Sequence, residues 1–184
     1  MAQKDHHTGN LSPEFALLGF LMAGASHGYD LHQRCVIELG HVWHLSQSQA
    51  YAILKRLEQH GDITAQIVEQ NKLPARQMLR ITAQGRRRFH GWMDEISANS
   101  RSIRLEFLTR LYFARIYKPE KVALIYSAQY DEINLTIERL ETLLANLPPE
   151  QRFNQLSLDL RLRQMKLIQE WMSEIKTQIF DSKE

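Results

Sequence analysis

The chain has 184 residues, 43% of them hydrophobic and 24% charged, which is enough for one good core or two small ones. A formal net charge of +2 is too mild to mark a nucleic-acid binder by its total, so the placement of the cations has to carry that question. Cys35 is the only cysteine, which excludes an intrachain disulfide and fits a reducing cytoplasm, and the longest apolar stretch, 15–25, falls well short of the roughly 20 residues a membrane span needs.

Residues 1–10 hold Lys4, Asp5, His6, His7 and Asn10 with almost nothing apolar, and are expected to form a tail. Ala23-Gly24-Ala25 resembles a signal-peptidase site, but Asp5, Pro13 and Glu14 spoil the positive lead-in, so secretion is not expected. A first helix starts at Ser12-Pro13-Glu14, with Ser12 as cap, and runs to about Met22. Gly24 and Gly28 break it before a second helix over 29–38, closed by Gly40.

Ser46-Gln47-Ser48-Gln49 has the form of a capping box and opens a third helix. Along it Ala50, Ile53, Leu54 and Leu57 make one inward stripe, and Gly61 ends it. Ile63, Ala65 and Ile67 then alternate with polar residues, 71–74 turn, and 76–82 alternate again with Gln77, Leu79 and Ile81 on one side: a β-hairpin. Three helices followed by a hairpin are the layout of a winged helix-turn-helix.

The remainder reads as helical, beginning with a fourth helix over 83–117. Val122, Tyr126, Tyr130, Ile133, Ile137, Leu140 and Leu144 step by threes and fours, close to a heptad seam. Pro148-Pro149 ends that helix, and a last one carries Leu158, Leu162, Met165, Met172 and Ile175 on one face. These two faces predict an antiparallel arm that pairs with the arm of a second copy, giving a homodimer. The alternative is that they close on the fourth helix within one subunit. The fold class is thus mainly α, with a tail over 1–10, a winged helix-turn-helix over 11–92 and a helical dimerisation domain over 93–184.

Opposite the inward stripe of the third helix lie Ser48, Ala52 and Lys55, flanked by Tyr51 and Arg56. Small residues let a helix backbone sink into a major groove, while Gln47, Gln49 and Lys55 reach base edges or phosphates. Residues 46–92 hold Lys55, Arg56, Lys72, Arg76, Arg80, Arg86, Arg87 and Arg88 against Glu58, Asp62 and Glu69, a net +5, so the rest of the chain carries −3. Lys72 and Arg76 flank the hairpin turn, where a wing meets the phosphate backbone. The candidate DNA-binding set is therefore Gln47, Ser48, Gln49, Tyr51, Ala52, Lys55, Lys72, Arg76 and Arg80, with double-stranded DNA as partner. A winged helix that binds protein without reading DNA is the alternative.

The sequence resembles the PadR family of transcriptional regulators, in its longer branch with a virulence-activator-type C-terminal domain. The parts that carry the likeness are 15–21 (FALLGFL) with His27-Gly28-Tyr29-Asp30-Leu31, Trp43, 46–61 (SQSQAYAILKRLEQHG), 76–85 (RQMLRITAQG) and Ile103-Arg104-Leu105-Glu106-Phe107. The resemblance implies that Tyr51 and its neighbours approach DNA, that Arg76 serves the wing, that 122–179 dimerise, and that the default action is repression. It departs from the family at Lys72-Leu73-Pro74, at Leu79 and at Ala52. It also implies response to small aromatic compounds, for which Trp92, Tyr112 and Phe113 are the candidate effector pocket, with core packing as the competing role. His41 and His44 lack further ligands at metal spacing, so neither metal nor cofactor is expected; no phosphate loop or nucleophile elbow suggests an enzyme.

Overall fold

The computed structural model describes residues 13–70 and 73–180, with side chains throughout except at 68–70 and 73–76. The tail, the Ser12 cap and Lys72 lie outside the described residues, as does the side chain of Arg76. The chain divides into two compact units between Glu95 and Ile96.

In the first unit, helix α1 (Glu14–Met22) buries Ala16, Leu17, Leu18, Phe20 and Leu21, so it is apolar on all sides because it is enclosed on all sides. Strand β1 (Ser26–His27), α2 (Gly28–Leu39) and α3 (Gln47–Gln59) follow, then β2 (Ile63–Gln70), β3 (Leu73–Ile81) and α4 (Ala83–Met93). The sheet runs β1-β3-β2, antiparallel throughout, with Ile63 opposite Ile81 and Ser26 opposite Leu79. Strand β1 was not foreseen, since two residues are too few to show a period. Gly40 caps α2 in the right-handed helical region, whereas Gly61 turns the chain after α3 at a φ of 75°, where a side chain would be strained.

Phe15 stacks on Trp92 at 4.7 Å and 5°, tying α1 to α4. Beside it Arg88 bridges Glu14 and the buried Asp62, the latter at 2.6 Å. Gly85 lies against the Asp62 carbonyl, to which the Thr82 backbone N–H also donates at 3.0 Å, so the end of the wing and the start of α4 lock onto the turn after α3.

The second unit corrects the single helix expected over 83–117. Residues 94–99 interrupt it, and a short α5 (Ser100–Ser102) restarts the chain behind a capping box in which Asn99 accepts from the Ser102 backbone and the Ser102 hydroxyl accepts from the Asn99 backbone. A π-helical turn, Ile103–Phe107, leads into α6 (Leu108–Tyr117). Arg110, buried, donates to the Ser97 hydroxyl, and Gln129 brackets Ser97 by accepting from its N–H at 2.9 Å and donating to its carbonyl at 2.8 Å. These partners satisfy groups whose burial would otherwise be costly.

Helices α7 (Val122–Ala145) and α8 (Arg152–Phe180) form an antiparallel pair, as Tyr126 with Met172, Asn134 with Gln169 and Glu141 with Lys166 show. The expected arm is present, but its seam is filled within one chain. Val122, Tyr126, Ile133, Ile137, Leu140, Leu162, Met165 and Met172 are buried, and Tyr130, Leu144, Leu158 and Ile175 are half-buried. A partner would reach the first eight only by opening the arm. Among the described residues no helix is long and apolar enough to cross a membrane, and no cluster of three or more His, Cys, Asp or Glu is placed to hold a metal.

Candidate nucleic-acid interface

The candidate interface is built on α3. Its start is fixed by the capping box read from sequence: the Ser46 hydroxyl accepts from the Gln49 backbone N–H at 3.3 Å, and the Gln49 side-chain oxygen accepts from the Ser46 N–H at 3.0 Å. The inward stripe Ala50, Ile53, Leu54 and Leu57 is buried. That burial turns Gln47, Ser48, Tyr51, Ala52 and Lys55 to solvent on the other side, with Tyr51 46% exposed. Two of the candidates have local duties as well. Gln49 commits its oxygen to the cap, and the Ser48 hydroxyl lies 3.1 Å from that of Ser46.

Arg56, on the flank of this face, reaches Glu14 at 3.5 Å. Arg80 is exposed on β3 opposite Thr64. Arg76 stands opposite Val68 in the strand pair, which places its backbone on the wing.

Between α3, the start of α2 and the root of the wing lies an open cleft of about 620 Å³. Tyr51, Lys55 and Glu58 line one wall, His27 and Tyr29 another, and Gln77 the third. His27 Nδ1 is 3.0 Å from the Gln77 carbonyl, which ties the N-terminal end of α2 to the wing. Tyr29 is 53% exposed. Gly28 permits the arrangement, because a Cβ there would stand 2.9 Å from Tyr51 Cε1. Sequence reading did not name His27, Gly28 or Tyr29 as site residues. The segment His27-Gly28-Tyr29 was visible, but its proximity to α3 and the wing comes from the packing of α2 on α3 and from the unforeseen strand β1.

The candidate effector residues belong to different units. Trp92 belongs to the first unit, buried between Phe15 and Phe89. Tyr112 and Phe113 belong to the second, with Phe113 fully buried and stacked on Tyr117 at 6.0 Å. Each ring packs against neighbours within its own unit, the role set beside an effector pocket in the sequence analysis.

Three helices, a capped and outward-facing third one, and a β-hairpin behind it define a winged helix-turn-helix protein. Residues 17–91 match the Transcriptional regulator PadR-like family, a match that lies within the winged helix-turn-helix of the first unit. The chain is 26% identical over 140 residues to the negative transcriptional regulator PadR of Bacillus subtilis strain 168, an alignment covering 74% of this chain and 77% of that one. Among solved structures it is similar to Bacillus subtilis PadR in complex with operator DNA, at 25% identity, covering 90% and 98% of the two chains with a TM-score of 0.46. The same protein in complex with p-coumaric acid matches at 25% identity, 91% and 94% coverage and a TM-score of 0.40.

Proposed function

We propose that the chain is a sequence-specific DNA-binding regulator that acts in the cytoplasm as a homodimer, with 11–92 reading DNA and 93–184 pairing the copies. The observation that carries the reading is the outward face of α3, where Gln47, Ser48, Tyr51, Ala52 and Lys55 stand clear of the core beside an open cleft. Ser48 and Ala52 allow close approach of the helix to the floor of the major groove, Gln47 and Tyr51 meet base edges, and Lys55 meets phosphate. Gln49 serves chiefly to hold the start of the helix. Lys72, Arg76 and Arg80 supply the wing's phosphate contacts. Two copies related by a twofold axis would place their α3 helices in successive major grooves of a near-palindromic site, about one helical turn apart. The regulator acts by default as a repressor.

Small aromatic compounds are the effector class to test, with Trp92, Tyr112 and Phe113 as the candidate effector residues to substitute. An effector acts by binding the DNA-competent and incompetent states unequally. A titration that shifts DNA affinity identifies it.

The reading is tested by fluorescence anisotropy of the dimer on DNA from its own promoter region. Tyr51→Ala and Lys55→Ala are each expected to weaken binding by about tenfold, roughly 1.4 kcal/mol, and Lys55→Ala to flatten the salt dependence by about one phosphate contact per protomer. Unchanged affinity in both variants would leave a winged helix that binds protein rather than DNA.

A further inference from the structure

Helix α2 meets α3 at two points that lie one turn apart on its own surface. At the first, Gly28 faces Tyr51 and Leu54 in the body of α3. At the second, four residues on and on the same face, the His32 ring reaches the residue before the Ser46 cap: its Nε2 is 2.9 Å from the Leu45 carbonyl. A carbonyl oxygen only accepts, so Nε2 carries the proton of this bond. The ladder of α3 begins at the Ser46 carbonyl, which accepts from the Ala50 N–H at 2.9 Å, so the Leu45 carbonyl falls outside it and needs a donor from elsewhere. Leu45 and Trp43 are buried, and residues 40–46 have no helix or strand of their own to satisfy their polar groups. The His32 ring is 9% exposed, and among the described residues no group pairs with its Nδ1. A leucine would fill the same place without an unpaired polar atom, so the bond to Leu45 is what a histidine adds there.

We infer that His32 is a positioning residue for the DNA-reading face: its Nε2–H ties the first turn of α3 to α2 and so fixes where Gln47 and Ser48 are presented. The inference rests on the DNA-binding reading given above. Leu45 C=O and Ser46 N–H belong to one planar peptide unit, and that unit is held at both ends, its carbonyl by His32 and its N–H by the Gln49 side-chain oxygen at 3.0 Å. The capping box alone joins Ser46 to Gln49 and sets where the helix starts along the chain, whereas His32 sets where that start lies in the first unit. From Ala50 onward the buried stripe Ala50, Ile53, Leu54 and Leu57 holds α3 to the core. Ahead of it Ser46, Gln47, Ser48 and Gln49 are all exposed, with no core contact of their own, and depend on the tie at Leu45. Without that donor the buried carbonyl must turn toward water, which rotates the peptide and pulls the Ser46 N–H from its cap. Base contacts at the start of α3 should suffer, while phosphate contacts by Lys55 and the wing should persist.

The test uses the full chain. His32→Leu keeps apolar bulk and removes the donor, and His32→Gln returns an amide N–H near the place of Nε2. In hydrogen exchange, protection of the Ser46, Gln49 and Ala50 amides is expected to fall about tenfold in His32→Leu and to recover in His32→Gln. In fluorescence anisotropy His32→Leu should bind its promoter DNA about tenfold more weakly, yet bind random-sequence DNA of the same length within about twofold of wild type, and His32→Gln should restore promoter binding. Phe15→Leu is the control for stability alone. It loosens the stack on Trp92 and should lower the melting temperature, while exchange at the start of α3 and DNA binding below the melt stay as in wild type. Imidazole nitrogen shifts of the unsubstituted chain give a further check, with the His32 proton expected on Nε2. Wild-type exchange and wild-type promoter affinity in His32→Leu, whatever its melting temperature, overturn the positioning role. A His32 ring without a proton on Nε2 overturns it even if His32→Leu does not fold, and failure of His32→Gln to recover overturns the hydrogen bond as the cause. Exchange that responds as expected in a protein that does not prefer its promoter DNA leaves the tie to α3 standing while the regulator reading falls.

Discussion

Replacing Gly28 by alanine adds one carbon at the point where α2 begins and Tyr51 lies across it. The new Cβ would stand 2.9 Å from Tyr51 Cε1, 3.4 Å from its Cζ and 3.3 Å from Leu54 Cδ1. The ring must therefore move. It is 46% exposed, so it can swing outward into solvent instead of pressing on the core. Stability should change little: an off-rotamer side chain costs about 0.5–1.5 kcal/mol, and alanine recovers up to about 1 kcal/mol of helix propensity over glycine. On the proposed reading DNA affinity should suffer more, because Tyr51 would leave the face of α3 assigned to the groove. A loss of about 1–2 kcal/mol corresponds to roughly five- to thirtyfold in Kd. Anisotropy on promoter DNA measures this, with thermal melts as control. A double-mutant cycle with Tyr51→Ala decides the cause, since Gly28→Ala should cost nothing further once the ring is absent. Wild-type affinity for Gly28→Ala, or an equal loss in the Tyr51→Ala background, would refute the argument.

Three other outcomes are expected. Gly85→Ala should unfold the first unit or lower its melting temperature sharply, because its Cβ would fall 2.1 Å from the backbone oxygen of Asp62, which has no side-chain rotation by which to yield; calorimetry checks this. Tyr126→Phe removes a hydroxyl that donates to the Met172 carbonyl at 2.5 Å and should cost about 0.5–1.5 kcal/mol in denaturant melts without changing the oligomeric state. Burial raises the Cys35 thiol from 9.0 to about 11, so between those values the unfolded chain gives up a proton that the folded chain keeps. Stability is accordingly full below pH 9 and falls as pH rises toward about 11, by at most about 2–3 kcal/mol, and urea melts of wild type and Cys35→Ala across that range should converge or cross as pH rises.

How far the sequence could be read follows from the range over which each signal acts. The capping box of α3 lies within four residues and its inward stripe within eight, so both the ends and the facing of that helix were legible and the candidate face followed from them. The restart at Asn99 was equally local, an Asn followed three residues later by Ser102, but it sits in a polar run that reads as helix surface, and the expected single helix passed over it. The cleft was not legible, because Gly28 and Tyr51 are 23 residues apart and meet only in the tertiary packing of α2 on α3, beside the pairing of β1 with β3. Periodicity met a different limit in the arm. Steps of three and four establish that Val122 to Leu144 share a face, yet they are silent on whether the partner is α8 of the same chain or a second copy. The same silence covers α8, where buried Leu162, Met165 and Met172 and exposed Phe153, Leu156, Leu160 and Leu167 both follow helical spacing and differ in phase. Intrachain packing takes one phase because the turn at Pro148-Pro149 holds α7 and α8 at high effective concentration.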